Sequence, residues 1–136
     1  MPTRRRQARI FALQTLYEAD MTGHEPVEIL ERLLQETDAT EEVRAFAREL
    51  VSGAVAERQR LDDVIARVAP AWPIEQMATI DRNILRLAIL EILLNNRTPV
   101  KAAINEAVEL AKSFGSDNSA KFVNGVLGSV SSMATR

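Results

Sequence analysis

Residues 98–128, TPVKAAINEAVELAKSFGSDNSAKFVNGVLG, decide the fold. They read as two helices joined by a short polar turn. Thr98 suits an N-cap, and Pro99 suits a first helical position, where its missing N–H costs nothing. Val100, Ala103, Ala107, Leu110, Ala111 and Phe114 recur at helical spacing. Lys101, Asn105, Glu109 and Lys112 fall on the opposite face, since i, i+4, i+8 and i+11 return to nearly one angle. Gly115 is expected to stop this helix in the position after its cap. Ser116, Asp117, Asn118 and Ser119 offer caps for the next helix, which holds Phe122, Val123, Val126, Leu127 and Val130 on one side. Gly125 and Gly128 lie inside it. Each helical glycine costs about 1 kcal/mol against alanine, so the pair points to close approach of a neighbouring backbone. The turn leaves polar groups between two aromatics, Phe114 and Phe122, with Lys121 and Asn124 alongside. Two readings fit: a plain helix–turn–helix with two buried phenylalanines, or a polar surface that meets a ligand.

Outward from this stretch, the 136 residues fit one domain with a substantial core. Hydrophobic residues make up 46% and aromatics only 4%, so Leu, Ile, Val and Ala must build that core. There is no cysteine, which excludes disulfides, thiolate catalysis and cysteine-based zinc or iron–sulfur sites. The one histidine, His24, stands beside Gly23 in an expected turn, a surface position rather than a ligand or base. No apolar run has the length of a membrane span and the start of the chain lacks a signal-peptide core, so the expectation is a cytoplasmic protein with no membrane partner. Net charge is −2, yet Arg4, Arg5, Arg6 and Arg9 form a cationic block with no acid before Glu18.

Thr3 can cap a first helix to about residue 21, with Ile10, Leu13, Leu16 and Tyr17 as its apolar face. Arginines in its first turn have the wrong sign for the helix dipole. Read functionally, they form an arginine-rich motif for a phosphate backbone; read blandly, a disordered basic tail. Gly23 and Pro26 separate a second helix, ending near Glu36, from the first. Asp38 or Thr40 caps a long third segment, 41–68, with Glu41 and Glu42 in its first turn and Gly53 as a bend. Residues 69–73, APAWP, form the clearest internal boundary, with Trp72 expected to plug the junction of the two halves. A turn over 74–77 precedes a helix capped by Thr79, with Ile80, Ile84, Leu87, Ala88 and Leu94 inward, ending near residues 95–96. Asp81, Arg82 and Arg86 fall on its polar side as ordinary surface charges. After Met133 nothing signals structure. No segment alternates with a strand period. The expected fold is all-α, a single compact domain of two packed helical bundles, with halves at about 1–69 and 74–136. No phosphate loop, metal spacing or nucleophile–base set occurs, so neither enzyme activity, cofactor nor metal is expected.

RRRQARIFALQTLYEAD near the start, IDRNILRLAILEIL in the middle and INEAVELAKSFGSDNSAKFVNGVLG near the end resemble, in that order, the signatures of the NusB family of bacterial transcription antitermination factors. The resemblance implies an all-helical RNA-binding domain over residues 1–136. It implies binding of the boxA element of nascent ribosomal RNA transcripts together with NusE, a small-subunit ribosomal protein, and entry into the antitermination complex on RNA polymerase. Carried over residue by residue, it places RNA contacts at Arg4, Arg5, Arg6, Arg9, Gln14, Tyr17, Phe114, Ser116, Asp117, Asn118, Ser119, Lys121, Phe122 and Asn124. It places the NusE surface at Asp81, Arg82, Val100 and Glu106. Val100 stands where some members carry an aromatic. Asn118 stands where an acid is common, and an uncharged residue there repels phosphates less. Two alternatives differ in class: an accessory domain related to the N-terminal domain of RNA cytosine methyltransferases, and a homodimeric module that buries its RNA face. Glu106 sits at the edge of the apolar face, where it either pairs with Arg82 or Arg86 or meets a basic residue of the partner.

Overall fold

The computed structural model describes residues 3–95 and 97–134. Asn96, Thr135 and Arg136, on which the expected end of one helix and the expected tail fall, lie outside the described residues. The described residues form seven α-helices and no strand, so the all-α expectation holds. They divide into two compact units, Met1–Ala56 and Glu57–Arg136.

The first unit is a three-helix bundle of α1 (Arg4–Thr22), α2 (Pro26–Gln35) and α3 (Glu41–Ala56). Thr3 caps α1 as expected, its Oγ1 accepting the Arg6 N–H at 3.1 Å. Gly23 ends it at φ +78°, a left-handed conformation that glycine adopts without steric cost. Pro26 occupies the first turn of α2. Thr40 caps α3 through the Val43 N–H at 3.2 Å. Arg44 ties the preceding loop by donating to the carbonyls of Thr37 and Ala39. Ala8, Ala12 and Ala47 are fully buried, and such small side chains let α1 and α3 pack closely. Leu13, Leu30, Leu34 and Leu50 fill the space between the helices.

The long third segment does not run through to residue 68. It breaks at Glu57, and α4 (Arg58–Val68) belongs to the second unit. The boundary therefore lies ahead of the expected 69–73. Gly53 stays helical. The second unit continues with a 3-10 turn (Ile74–Gln76), α5 (Thr79–Ile89), a π-helical stretch (Leu90–Asn95), α6 (Val100–Phe114) and α7 (Ser119–Ser131). Its centre is α5, buried without interruption from Asn83 to Ile89, with α4, α6 and α7 packed against it. A helix covered on every side has no polar face. Arg86 is accordingly no surface charge: its side chain is 4% exposed, and it donates to both oxygens of Asp62, at 2.7 and 3.1 Å, and to Asn83 Oδ1 at 3.0 Å.

Three local expectations around α6 and α7 change. Thr98 does not cap α6. It is buried, and its hydroxyl donates to the buried Glu91 carboxylate at 2.8 Å, which leaves Pro99 at the cap position. Gly115 is not left-handed; its backbone is extended, at φ −94° and ψ −171°. It must be glycine for a different reason, since a Cβ there would lie 2.5 Å from Ser119 Cβ and 2.8 Å from the Ala111 carbonyl. Gly125 and Gly128 are exposed, and a Cβ on either would meet no described atom within 4 Å. No neighbouring backbone among the described residues accounts for them.

Candidate nucleic-acid interface

In the first unit the arginine block is divided by helical geometry. Arg6, Ile10, Gln14 and Tyr17 stand at i, i+4, i+8 and i+11, one stripe of α1. Gln14 is exposed and Tyr17 is 38% exposed. Arg5 and Arg9 point the other way, toward α3, with their guanidinium carbons 4.0 and 5.5 Å from the ring centre of the buried Phe46. Arg9 is only 4% exposed. Arg4 pairs with Glu42 at 3.0 Å, both side chains being exposed. The four arginines therefore occupy different surroundings rather than one cationic tail, and α1 is ordered from Arg4 onward. Stacking uses the guanidinium face, whereas its N–H donors lie in the plane of the group.

In the second unit the turn between α6 and α7 is fastened from inside. Ser119 is buried, and its Oγ accepts the Ser116 N–H at 2.9 Å and lies 3.2 Å from Ser116 Oγ. The Ser119 N–H returns to the Ser116 carbonyl at 3.1 Å. This staple turns Ser119 inward and leaves Ser116, Asp117 and Asn118 exposed. Phe114 is 38% exposed at one flank. Phe122 flanks the other side, half-buried edge to face against Trp72, with centroids 6.0 Å apart and planes at 72°. Lys121 and Asn124 are exposed on the same helix. Trp72, expected to plug the junction of the two halves, is 56% exposed and belongs to the second unit. Of the residues expected to touch RNA, Ser119 is thus a staple of the turn, and Trp72 is an addition beside Phe122. Both assignments depend on which way a side chain points, which residue type alone does not set.

Asp81 and Arg82 lie in the first turn of α5, and Val100 and Glu106 lie on α6, which packs on α5. All four are half-buried. Arg82 Nη1 approaches the Ile74 carbonyl at 3.4 Å. Val100 and Glu106 stand about 120° apart around α6, so only one edge of that helix presents both. Among the described residues, no group of three His, Cys, Asp or Glu could hold a metal ion. No helix among them is long and apolar enough to cross a membrane.

The sequence profile of the NusB family matches residues 6–132, through both units. The transcription antitermination protein NusB of Dehalococcoides mccartyi is 55% identical over 131 residues, covering 96% of this chain and 92% of the relative. That of Chloroflexus aggregans is 48% identical over 132 residues, covering 96% and 88%. Among solved structures, T. maritima NusB superposes with a TM-score of 0.91 at 33% identity, covering 100% of this chain and 96% of that one. A chain from the complex of antitermination factors NusB and NusE with dsRNA superposes at 0.88 with 27% identity, covering 98% and 99%. A whole-length match of sequence and helical architecture together leaves one conclusion: the chain belongs to the NusB family, whose members are transcription antitermination factors and not enzymes.

Proposed function

We propose that the chain binds the boxA element of nascent ribosomal RNA transcripts as unpaired RNA, together with NusE, and so joins the antitermination complex on RNA polymerase in the cytoplasm. The observation that carries this reading is the stapled turn at 116–119. It holds three polar residues outward between Phe114 and Phe122, with Lys121 one helical turn on. Unpaired RNA is read by aromatics that stack on bases and by polar groups that meet base edges. The stripe of Arg6, Gln14 and Tyr17 supplies a second stretch of contact. NusE meets α5 and α6 through Arg82, Val100 and Glu106, with Asp81 at the margin. The domain, 1–136, binds RNA without catalysis, cofactor or metal.

A filter-binding titration over a range of salt tests this. The chain should bind a single-stranded boxA RNA more tightly than a duplex of the same sequence, and NusE should tighten it further. The duplex arm matters because a relative was solved with NusE and dsRNA. Each phosphate neutralised on a single strand contributes about −0.7 to the slope of log K against log salt, so Arg6→Ala and Lys121→Ala should each flatten it by about that amount. Equal affinity for duplex and single strand, or an unchanged slope in both variants, would refute the reading.

A further inference from the structure

We propose that the second unit holds a base-reading pocket in which Asp81 accepts an N–H from the exocyclic amino group of one unpaired base. The proposal rests on the RNA-binding reading above and names a base class that this reading leaves open. The pocket is a cavity of about 280 Å³ whose walls include Trp72, Met77, Asp81, Asn118 and Phe122. Drug-sized ligands take about 300–1,000 Å³, so this cavity suits a single heterocycle.

Asp81 Oδ1 is buried and accepts no hydrogen bond from any described residue. A buried acceptor left unmet carries the desolvation cost of the group without a return, and native structures rarely leave one so. An ionised carboxylate only accepts, so whatever meets it must bring a donor. The walls select for a ring. Trp72 and Phe122 meet edge to face, an arrangement in which one ring leaves its faces uncovered by the other. Trp72 is more than half exposed, so the aromatic wall can be reached from solvent.

A second groove, of about 560 Å³, adjoins the cavity. It shares Trp72, Asn118 and Phe122 and adds Lys121 and Gly125. Charge therefore changes sign across the aromatic pair, with a cation in the groove and a carboxylate in the cavity. This order fits one nucleotide of a single strand, its phosphate over Lys121 and its base against Asp81, since the carboxylate would repel the phosphate. Cytosine, adenine and guanine each present an exocyclic amino donor on the edge that single-strand readers use. Uracil offers only a ring N–H flanked by two carbonyl oxygens, which would face the carboxylate.

Trp72 is the only tryptophan of the chain, so its emission reports on this cavity and the groove beside it. The probes are six-nucleotide oligocytidylate and oligouridylate, each end-labelled so that anisotropy measures binding anywhere on the protein, with no NusE present. Oligocytidylate should quench Trp72 and bind at least about tenfold more tightly than oligouridylate, the ratio expected for one charge-assisted hydrogen bond. Asp81→Asn, an isosteric change checked for helical content by circular dichroism, should bring that ratio close to one. Binding by anisotropy without quenching of Trp72 in the unmutated protein would overturn the pocket and leave RNA binding standing. So would a ratio unmoved by Asp81→Asn, and loss of NusE binding in that variant with the ratio intact would assign the oxygen to the protein partner instead. No anisotropy change with any RNA, boxA included, would overturn the RNA reading itself.

Discussion

Gly125→Ala should make the protein more stable and a poorer RNA binder. Gly125 is the seventh of the 13 residues of α7, well inside the helix. Its backbone is ordinary helix, and a Cβ there meets no atom of the described residues within 4 Å. No contact need be lost and no strain introduced. The gain is then the intrinsic difference between alanine and glycine in an exposed helix interior, about 1 kcal/mol, part of it entropy removed from the unfolded chain. For a protein of this length that corresponds to a rise in Tm of about 3–5 °C. Thermal melts followed by circular dichroism measure it. Gly125→Leu extends the test, since overpacking typically costs about 1–3 kcal/mol where a neighbour is close. Here even leucine should not lower Tm. Both changes narrow the groove that Gly125 shares with Trp72, Lys121 and Phe122. RNA affinity should fall with the size of the substituent while stability does not, a trade between stability and function. A fall in Tm for Gly125→Ala would show that the helix face is covered and would refute the argument.

Asp62→Ala should cost about 3–5 kcal/mol in urea unfolding, because it takes the carboxylate away from a guanidinium that is 4% exposed, whereas Arg48→Ala, which breaks the exposed pair with Glu31, should cost less than about 1 kcal/mol. The Arg48 hydrogen bond holds the Glu31 carboxyl below its ordinary value of 4.5, so this pair contributes a small stability above about pH 4.5 that is lost as pH falls through the depressed folded value. Glu31→Gln should therefore lower Tm slightly at pH 7 and leave it unchanged once both states are protonated.

Elements that begin and end on local chemistry were legible in the sequence. Thr3, Thr40, Gly23 and Pro26 act within a few residues of themselves, and the structure uses each as its residue type dictates. The break at Glu57 was not legible, because Ala54, Leu61 and Ile65 keep helical spacing across it. The period of the pattern survives even though the helix and the unit change. Arg86 and Asp62 stand 24 residues apart, and a sequence pattern on one helix cannot show that a charge is buried against another. Thr98 shows the same limit, since its better partner, Glu91, lies outside the helix it was expected to cap. At the site, the polar turn and its flanking aromatics were visible in composition. That Ser119 turns inward, and that Trp72 and Asp81 share a cavity with Phe122, depends on three-dimensional placement alone.

The arginine block shows how one run of residues meets two demands. Cations in the first turn oppose the helix dipole, and four of them so close together repel one another. The structure answers with α3. Its first turn brings Glu42 to Arg4, and its next turn brings the Phe46 ring beneath Arg5 and Arg9. Cation–π contacts are worth about 0.5–1 kcal/mol at exposed sites and about 2 or more when desolvated, so Arg9 stabilises the bundle as well as carrying charge. An alanine at position 9 would therefore mix unfolding with lost phosphate attraction, and a drop in RNA affinity there could not be assigned to contact. Arg6 shares a stripe of α1 with Gln14 and Tyr17. The number of arginines in the block is accordingly an upper bound on the phosphates it neutralises, and the salt slope of single variants, rather than the count of charges, measures how many the helix meets.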